Sequence, residues 1–150
     1  MVKSNYRDYA VSAFRFFAEV GSSRAYRETI LAGVAQTSAD GPAAKGYGSP
    51  TEAQVMRDEA ALDNARAELA DLEAVERTLD RIDRLPEAVT TRKVLRMVYM
   101  DRPGEPFEPG DVSDRIVRAS RECMMSEASV YRLLARARRF FAEERGLRIS

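Results

Sequence analysis

The chain has no histidine, no tryptophan and a single cysteine in 150 residues. Without histidine the commonest general base and the commonest metal ligand are missing. An enzyme is therefore the weakest of the functional classes, and no catalytic residue, metal or cofactor is expected. One cysteine cannot form an internal disulfide. Cys123 has no histidine to activate it, so it is expected in the core on a helical face. No apolar run approaches the roughly 20 residues of a membrane-spanning helix, and no basic leader precedes an apolar segment. The expectation is a reducing cytoplasm and no membrane partner. Net charge is absent as well: 24 lysines and arginines balance 24 aspartates and glutamates, so overall charge says nothing about a polyanionic partner.

The distribution of charge says more. Between Thr51 and Thr90 eleven acidic residues stand against five arginines, whereas between Asp111 and Ser150 nine arginines outnumber six acidic residues. A basic C-terminal lobe on an acidic stem is what a phosphate-binding module needs locally, although a solvated helical face carries the same pattern.

Apolar spacing predicts an all-α chain with no strand: an N-terminal helical segment over 1–35, a flexible linker over 36–50, a long acidic helix over 51–85 and a C-terminal helix-turn-helix region over 86–150. In the first segment Tyr6, Tyr9, Ala10, Ala13, Phe16, Phe17 and Val20 fall at three-and-four spacing along one helical face. Phe14 lies off that stripe, available to a partner. Gly21-Ser22-Ser23 ends this helix, and a serine cap starts a second one through Tyr26, Ile30 and Val34. Gln36 to Pro50 is rich in Gly, Ala, Ser and Pro. Its Gly46-Tyr47-Gly48-Ser49-Pro50 end lacks the preceding strand that a phosphate-cradling loop requires.

The acidic helix places Val55, Leu62, Ala65, Leu69, Leu72, Val75, Leu79 and Ile82 on one side, with a slip in register at Leu72-Val75-Leu79. A coiled-coil stem and packing against the N-terminal helices of the same chain both fit. Pro86 stops the helix at Leu85, because proline disfavours helical geometry in the residue before it. A helix then resumes over 87–100 on Val94, Leu95, Val98 and Tyr99, followed by a turn-rich connector over 101–110.

The last third carries the most information. Val112, Ile116, Ala119, Ser120 and Cys123 form the inner face of one helix, Met125 plugs a corner, and Ser126 caps a second helix. That second helix turns Val130, Leu133, Leu134 and Ala137 inward, with Phe140 and Phe141 anchoring its far end. Glu127, Ala128, Ser129, Tyr131, Arg132 and Arg136 then face outward. Two short helices at a tight corner read as a helix-turn-helix, in which these positions meet base edges and phosphates in the major groove. Arg138, Arg139 and Arg145 lie further along, where they would serve the DNA backbone at most. The usual turn glycine is replaced by Met124, which fits only if the turn avoids a left-handed residue or tolerates strain.

From Leu79 to Phe141 the chain resembles the promoter-reading region four of bacterial sigma factors. Leu85-Pro86 followed by Arg92-Lys93-Val94-Leu95 and Tyr99 resembles that module's first half. Ser126-Glu127-Ala128-Ser129-Val130-Tyr131 resembles its recognition helix, with Ala137 at the small-residue position. The acidic helix, the sigma-like module and the Tyr131-Arg132 pair are also similar to ArpU- and RinA-type phage late transcription regulators. The resemblance implies a phage or mobile-element regulator that binds double-stranded DNA, with RNA polymerase and a second copy as further partners. In that case Ser126 caps the helix and meets a phosphate, Arg132 and Arg136 read phosphate or guanine, Glu127 reads cytosine, and Ala128, Ser129, Tyr131 and Arg139 complete the contact set. The alternative is a helical interaction or oligomerisation protein, or a phage small terminase-like packaging subunit, without promoter-specific binding.

Overall fold

The computed structural model describes residues 5–39 and 50–149. Among these residues the chain forms seven α-helices and no strand: α1 Asn5–Val20, α2 Ser23–Ala39, α3 Pro50–Asn64, α4 Arg66–Asp83, α5 Ala88–Leu95, α6 Asp111–Glu122 and α7 Glu127–Arg145. A π-helical turn, Arg96–Met100, extends α5. The all-α expectation holds. Among the described residues no helix is long and apolar enough to cross a membrane.

The core gathers where α1, α4, the α5–π segment and α7 meet. Ala10, Phe14, Val75, Ile82, Val94, Leu95, Val130, Leu134 and Phe141 are all at most 1% exposed. Phe14 overturns its expected role as a residue left for a partner. Its ring stacks at 6.1 Å on Tyr99 and lies 5.9 Å from Phe141. The buried stripe of α1 is Ala10, Ala13 and Phe14, whereas Tyr9 stays 36% exposed. The small residues at 10 and 13 let α1 approach its neighbours closely, so Phe14 beside them becomes the knob. Phe16 faces another way and meets Tyr26 of α2 edge-on at 5.2 Å. The serine cap of α2 is Ser22, whose Oγ accepts the Ala25 N–H at 3.0 Å.

The long acidic helix forms with one break, at Ala65, so the single helix expected over 51–85 is two. The Ala65 N–H is shared between the carbonyls of Ala61 and Leu62, both at 3.2 Å. The halves differ in surroundings. In α4 Leu69, Leu72, Val75, Leu79 and Ile82 are buried, together with Ala74 and Thr78. That broad face explains the slip in register, since α4 packs against α1, α2 and α7 of its own chain. Thr78 tolerates burial because its hydroxyl donates to the Ala74 carbonyl at 2.8 Å. In α3, Val55 and Met56 remain exposed.

The linker expected over 36–50 is shorter than that at both ends. The helix α2 continues through Ala39, and Pro50 opens α3 from the first helical position, where its missing N–H costs nothing. Residues 40–49 lie outside the described residues.

The π turn ends at Asp101 and leaves carbonyls without intrahelical partners. Two arginines satisfy them. Arg115 of α6 donates to Val98 at 3.1 Å and Asp101 at 2.8 Å, while Arg15 of α1 donates to Tyr99 and Arg102, each at 3.1 Å. Both guanidinium groups lie over the Phe107 ring, at 4.9 and 3.9 Å from its centroid. The connector after α5 is thereby fastened to two helices.

Candidate nucleic-acid interface

The corner between α6 and α7 is built from Cys123 to Ser126. The Met125 N–H bonds to the Ser120 carbonyl at 3.0 Å, and the Met124 N–H bonds to the Arg121 carbonyl at 3.3 Å. This is a Schellman closure of α6, which places its C′ residue in the left-handed region. That residue is Met124, with φ +54° and 92% exposure. The turn therefore keeps the geometry that normally selects glycine and tolerates the strain. Ser120 supports it by donating its hydroxyl to the Met125 carbonyl at 2.6 Å.

Ser126 then caps α7, as its position in the sequence suggested. Its backbone is extended (φ −71°, ψ 156°), and its Oγ accepts the Ser129 N–H at 3.1 Å. The same oxygen donates to Ser129 Oγ at 3.0 Å, and Arg132 Nη2 donates to Ser129 Oγ at 2.8 Å. The cap thus continues as a chain of bonds that holds the Arg132 guanidinium over the first turn of the helix.

Of the residues expected to face outward, Ser126, Glu127, Ala128 and Arg132 are exposed, Tyr131 is half exposed, and Ser129 and Arg136 are half-buried. Ser129, Arg132, Arg136 and Arg139 follow one another at spacings of three, four and three, which puts them on one stripe of α7. They are not equivalent. Arg136 donates to Glu87 Oε1, on the residue that precedes α5. Arg139 is exposed and pairs with Glu143 at 3.5 Å.

Two further arginines of α7, both half-buried, have partners elsewhere in the chain. Arg138 Nη1 donates to the Tyr99 hydroxyl at 2.6 Å, and Arg145 Nε donates to Asp71 Oδ1 at 2.7 Å. Asp71 also accepts the Tyr9 hydroxyl at 2.7 Å. Arg145 and Arg138 therefore tie α7 to α4, α1 and the π turn. Their partners lie 74 and 39 residues away in sequence, and no local pattern announces them.

The inner face follows the spacing closely. Ile116, Ala119, Val130, Leu133, Leu134, Ala137 and Phe141 are buried. Cys123 is a free, half-buried thiol packed against this cluster. Phe140 lies under Arg81, whose guanidinium is 3.9 Å from the ring centroid.

Electrostatics at the rim follow from these contacts. The Arg136 hydrogen bond holds the Glu87 carboxyl below the ordinary glutamate value. Nearby, Arg92 binds Asp83 through Nε and Nη2 at 2.9 and 2.8 Å, which lowers that carboxyl too. Glu87 is the residue that sequence reasoning missed here. Its separation of 49 positions from Arg136 gave no signal.

These features define an all-α protein with a helix-turn-helix corner whose second helix is half sunk in the core. No protein-family description, curated protein or solved structure matches the chain.

Proposed function

We propose that the chain is a DNA-binding transcriptional regulator of phage or mobile-element type, reading duplex DNA with the first half of α7. The single observation that carries this proposal is the contrast along α7. Val130, Leu133 and Leu134 are buried, while Glu127, Ala128 and Arg132 stay exposed beyond a capped N-terminus. Arg118 and Arg121 on the outer side of α6 are also exposed. A helix end with positive dipole, free donors and a cation held by Ser129 suits phosphate oxygens and the acceptor edge of guanine. In this role Arg132 is the leading base or phosphate contact, Glu127 reads a cytosine amine, Ser126 meets a phosphate, and Ser129 orients Arg132. Arg136 and Arg139 join only by leaving or sharing their carboxylate partners. RNA polymerase is the further partner proposed for the same region, and a second copy would place two half-sites about one helical turn apart.

Selection of random duplex DNA against the full chain tests the proposal, with affinity followed across salt. The expected outcome is an enriched motif, weakened by roughly 1–3 kcal/mol in Arg132→Ala if that residue reads a base. Absence of binding at low salt would reject it. The alternative, a helical oligomerisation or packaging subunit, draws on Val55 and Met56, two apolar residues exposed on α3. Nonspecific binding by a ring-shaped oligomer would favour that role.

A further inference from the structure

Nine arginines and lysines among the described residues are half-buried. Six have a carboxylate within ion-pair distance: Arg27 with Glu73, Arg81 with Glu143 and Glu144, Arg92 with Asp83, Lys93 with Glu122, Arg136 with Glu87, and Arg145 with Asp71. The three that have none are Arg15, Arg115 and Arg138. They are not scattered. Arg15 and Arg115 share the Phe107 ring, and Arg138 is bonded to the Tyr99 hydroxyl, whose own backbone carbonyl is bonded to Arg15.

Two of these cations have a structural explanation. Arg15 and Arg115 close the carbonyl end of the π turn and rest on an aromatic face. Arg15 is nonetheless held below its ordinary pKa, by burial first and by the Arg115 charge second. Arg138 has no such explanation. Its Nε–H is buried and has no acceptor, and an unmet donor on a charged group is among the costlier features a fold can carry. A cleft of about 470 Å³ opens beside it, lined by Ser12 and Arg15 of α1, Tyr99, Phe107 and Arg138. Asp8 stands in the same cleft, exposed and beyond ion-pair distance from all three arginines. The Glu19 and Glu105 carboxylates act on Arg15 only at longer range, while its Nη2 also donates to the Pro103 and Glu105 carbonyls.

We infer that this cleft binds a small oxyanion, a phosphate- or carboxylate-bearing molecule, through Arg138 and Arg15 with the Ser12 hydroxyl as an additional donor. The ligand's charge would offset three half-buried cations at once. Guanidinium groups with donors left over match the paired oxygens of such a group. The site shares no lining residue with the groove of Glu87, Arg132 and Arg136 on the proposed DNA-reading side. It therefore does not depend on that role.

The test is a titration of the full chain with inorganic phosphate, and separately with acetate, against chloride at constant ionic strength. The arginine Nε–H resonances are followed by NMR. The expected result is a saturable shift of the Arg138 and Arg15 signals, with the exposed Arg7 and Arg57 unmoved. Saturation by phosphate identifies a phosphate-bearing ligand, and saturation by acetate a carboxylate; either supports the site. Arg138→Lys keeps the charge but removes the Nε–H, and should weaken binding at least several-fold. Ser12→Ala, at an exposed helical position, should weaken it less and leave folding intact. A linear drift shared by exposed arginines, or unchanged affinity in both variants, would overturn the inference. So would displacement of phosphate from Arg138 by a short DNA duplex, which would make the cleft part of a nucleic-acid contact.

Discussion

Arg136 of α7 donates to the Glu87 carboxylate at the start of α5, so an arginine of the Ser129-Arg132-Arg136-Arg139 stripe is already occupied by an acid of the same chain. Both side chains are partly exposed, at 36% and 42%. An exposed pair of this kind contributes little to stability, but it sets which cations are free to meet a polyanion.

Glu87→Gln is expected to release Arg136. If α7 reads DNA, nonspecific affinity should rise, and the slope of log K against log salt should steepen by about 0.9 for one added phosphate contact. An unchanged slope would mean that Arg136 stays off the backbone even when freed.

The same contact sets a pH dependence. The folded Glu87 carboxyl lies below its ordinary value of 4.5. Its stabilising contribution is therefore complete above that value and is lost as pH falls through the lowered folded one. Carboxyl NMR titration should show the Glu87 midpoint below 4.5 in the native chain and a return toward it in Arg136→Met. Asp83, bound by Arg92, should not respond to that substitution.

Met124→Gly is expected to stabilise the protein. A left-handed residue with a side chain costs about 1–2 kcal/mol, part of which is offset by roughly 0.5–1 kcal/mol from the freedom of glycine in the unfolded chain. Because the Met124 side chain is 92% exposed, no packing is lost. Urea denaturation should show a gain of about 0.5–1 kcal/mol. A loss would mean that the freedom of glycine in the unfolded chain outweighs the strain relieved at this turn.

Ser126→Ala should cost about 1 kcal/mol through the lost cap, and Ser126→Asp should restore most of it. If the Ser126–Ser129 link also holds Arg132, DNA affinity should fall further in Ser126→Ala than in Ser126→Asp. Equal affinities would separate the cap from the arginine.

Phe14→Ala should be among the most damaging substitutions, about 3–5 kcal/mol by thermal or chemical unfolding, since its ring lies between Tyr99 and Phe141. Phe16→Ala, at a half-buried position against Tyr26, should cost clearly less. The opposite order would return Phe14 to the surface role that its spacing suggested.

Sequence periodicity was enough for the helices and for the inner face of the corner, because both depend on spacings within one or two turns. Ser126 as a cap and Met124 as the residue of the turn were legible for the same reason, whereas the left-handed backbone of Met124 was one of two alternatives that the structure decided. Phe14 was misread because a helical stripe names one face, and α1 buries against several neighbours. The Ala65 break was hidden because its neighbours are good helix formers and the helical bonds run on through it.

The sequence by itself determined an all-α chain, an acidic stem, a capped second helix and the side chains that helix turns inward, all consequences of local geometry and hydrophobic period. The tertiary structure decided which arginines remain available. Arg145 went to Asp71, Arg136 to Glu87 and Arg138 to Tyr99, while Arg15 and Arg115 closed the π turn over Phe107. A cation's partner is fixed by proximity in space, and charges far apart in sequence meet only when the helices that carry them pack.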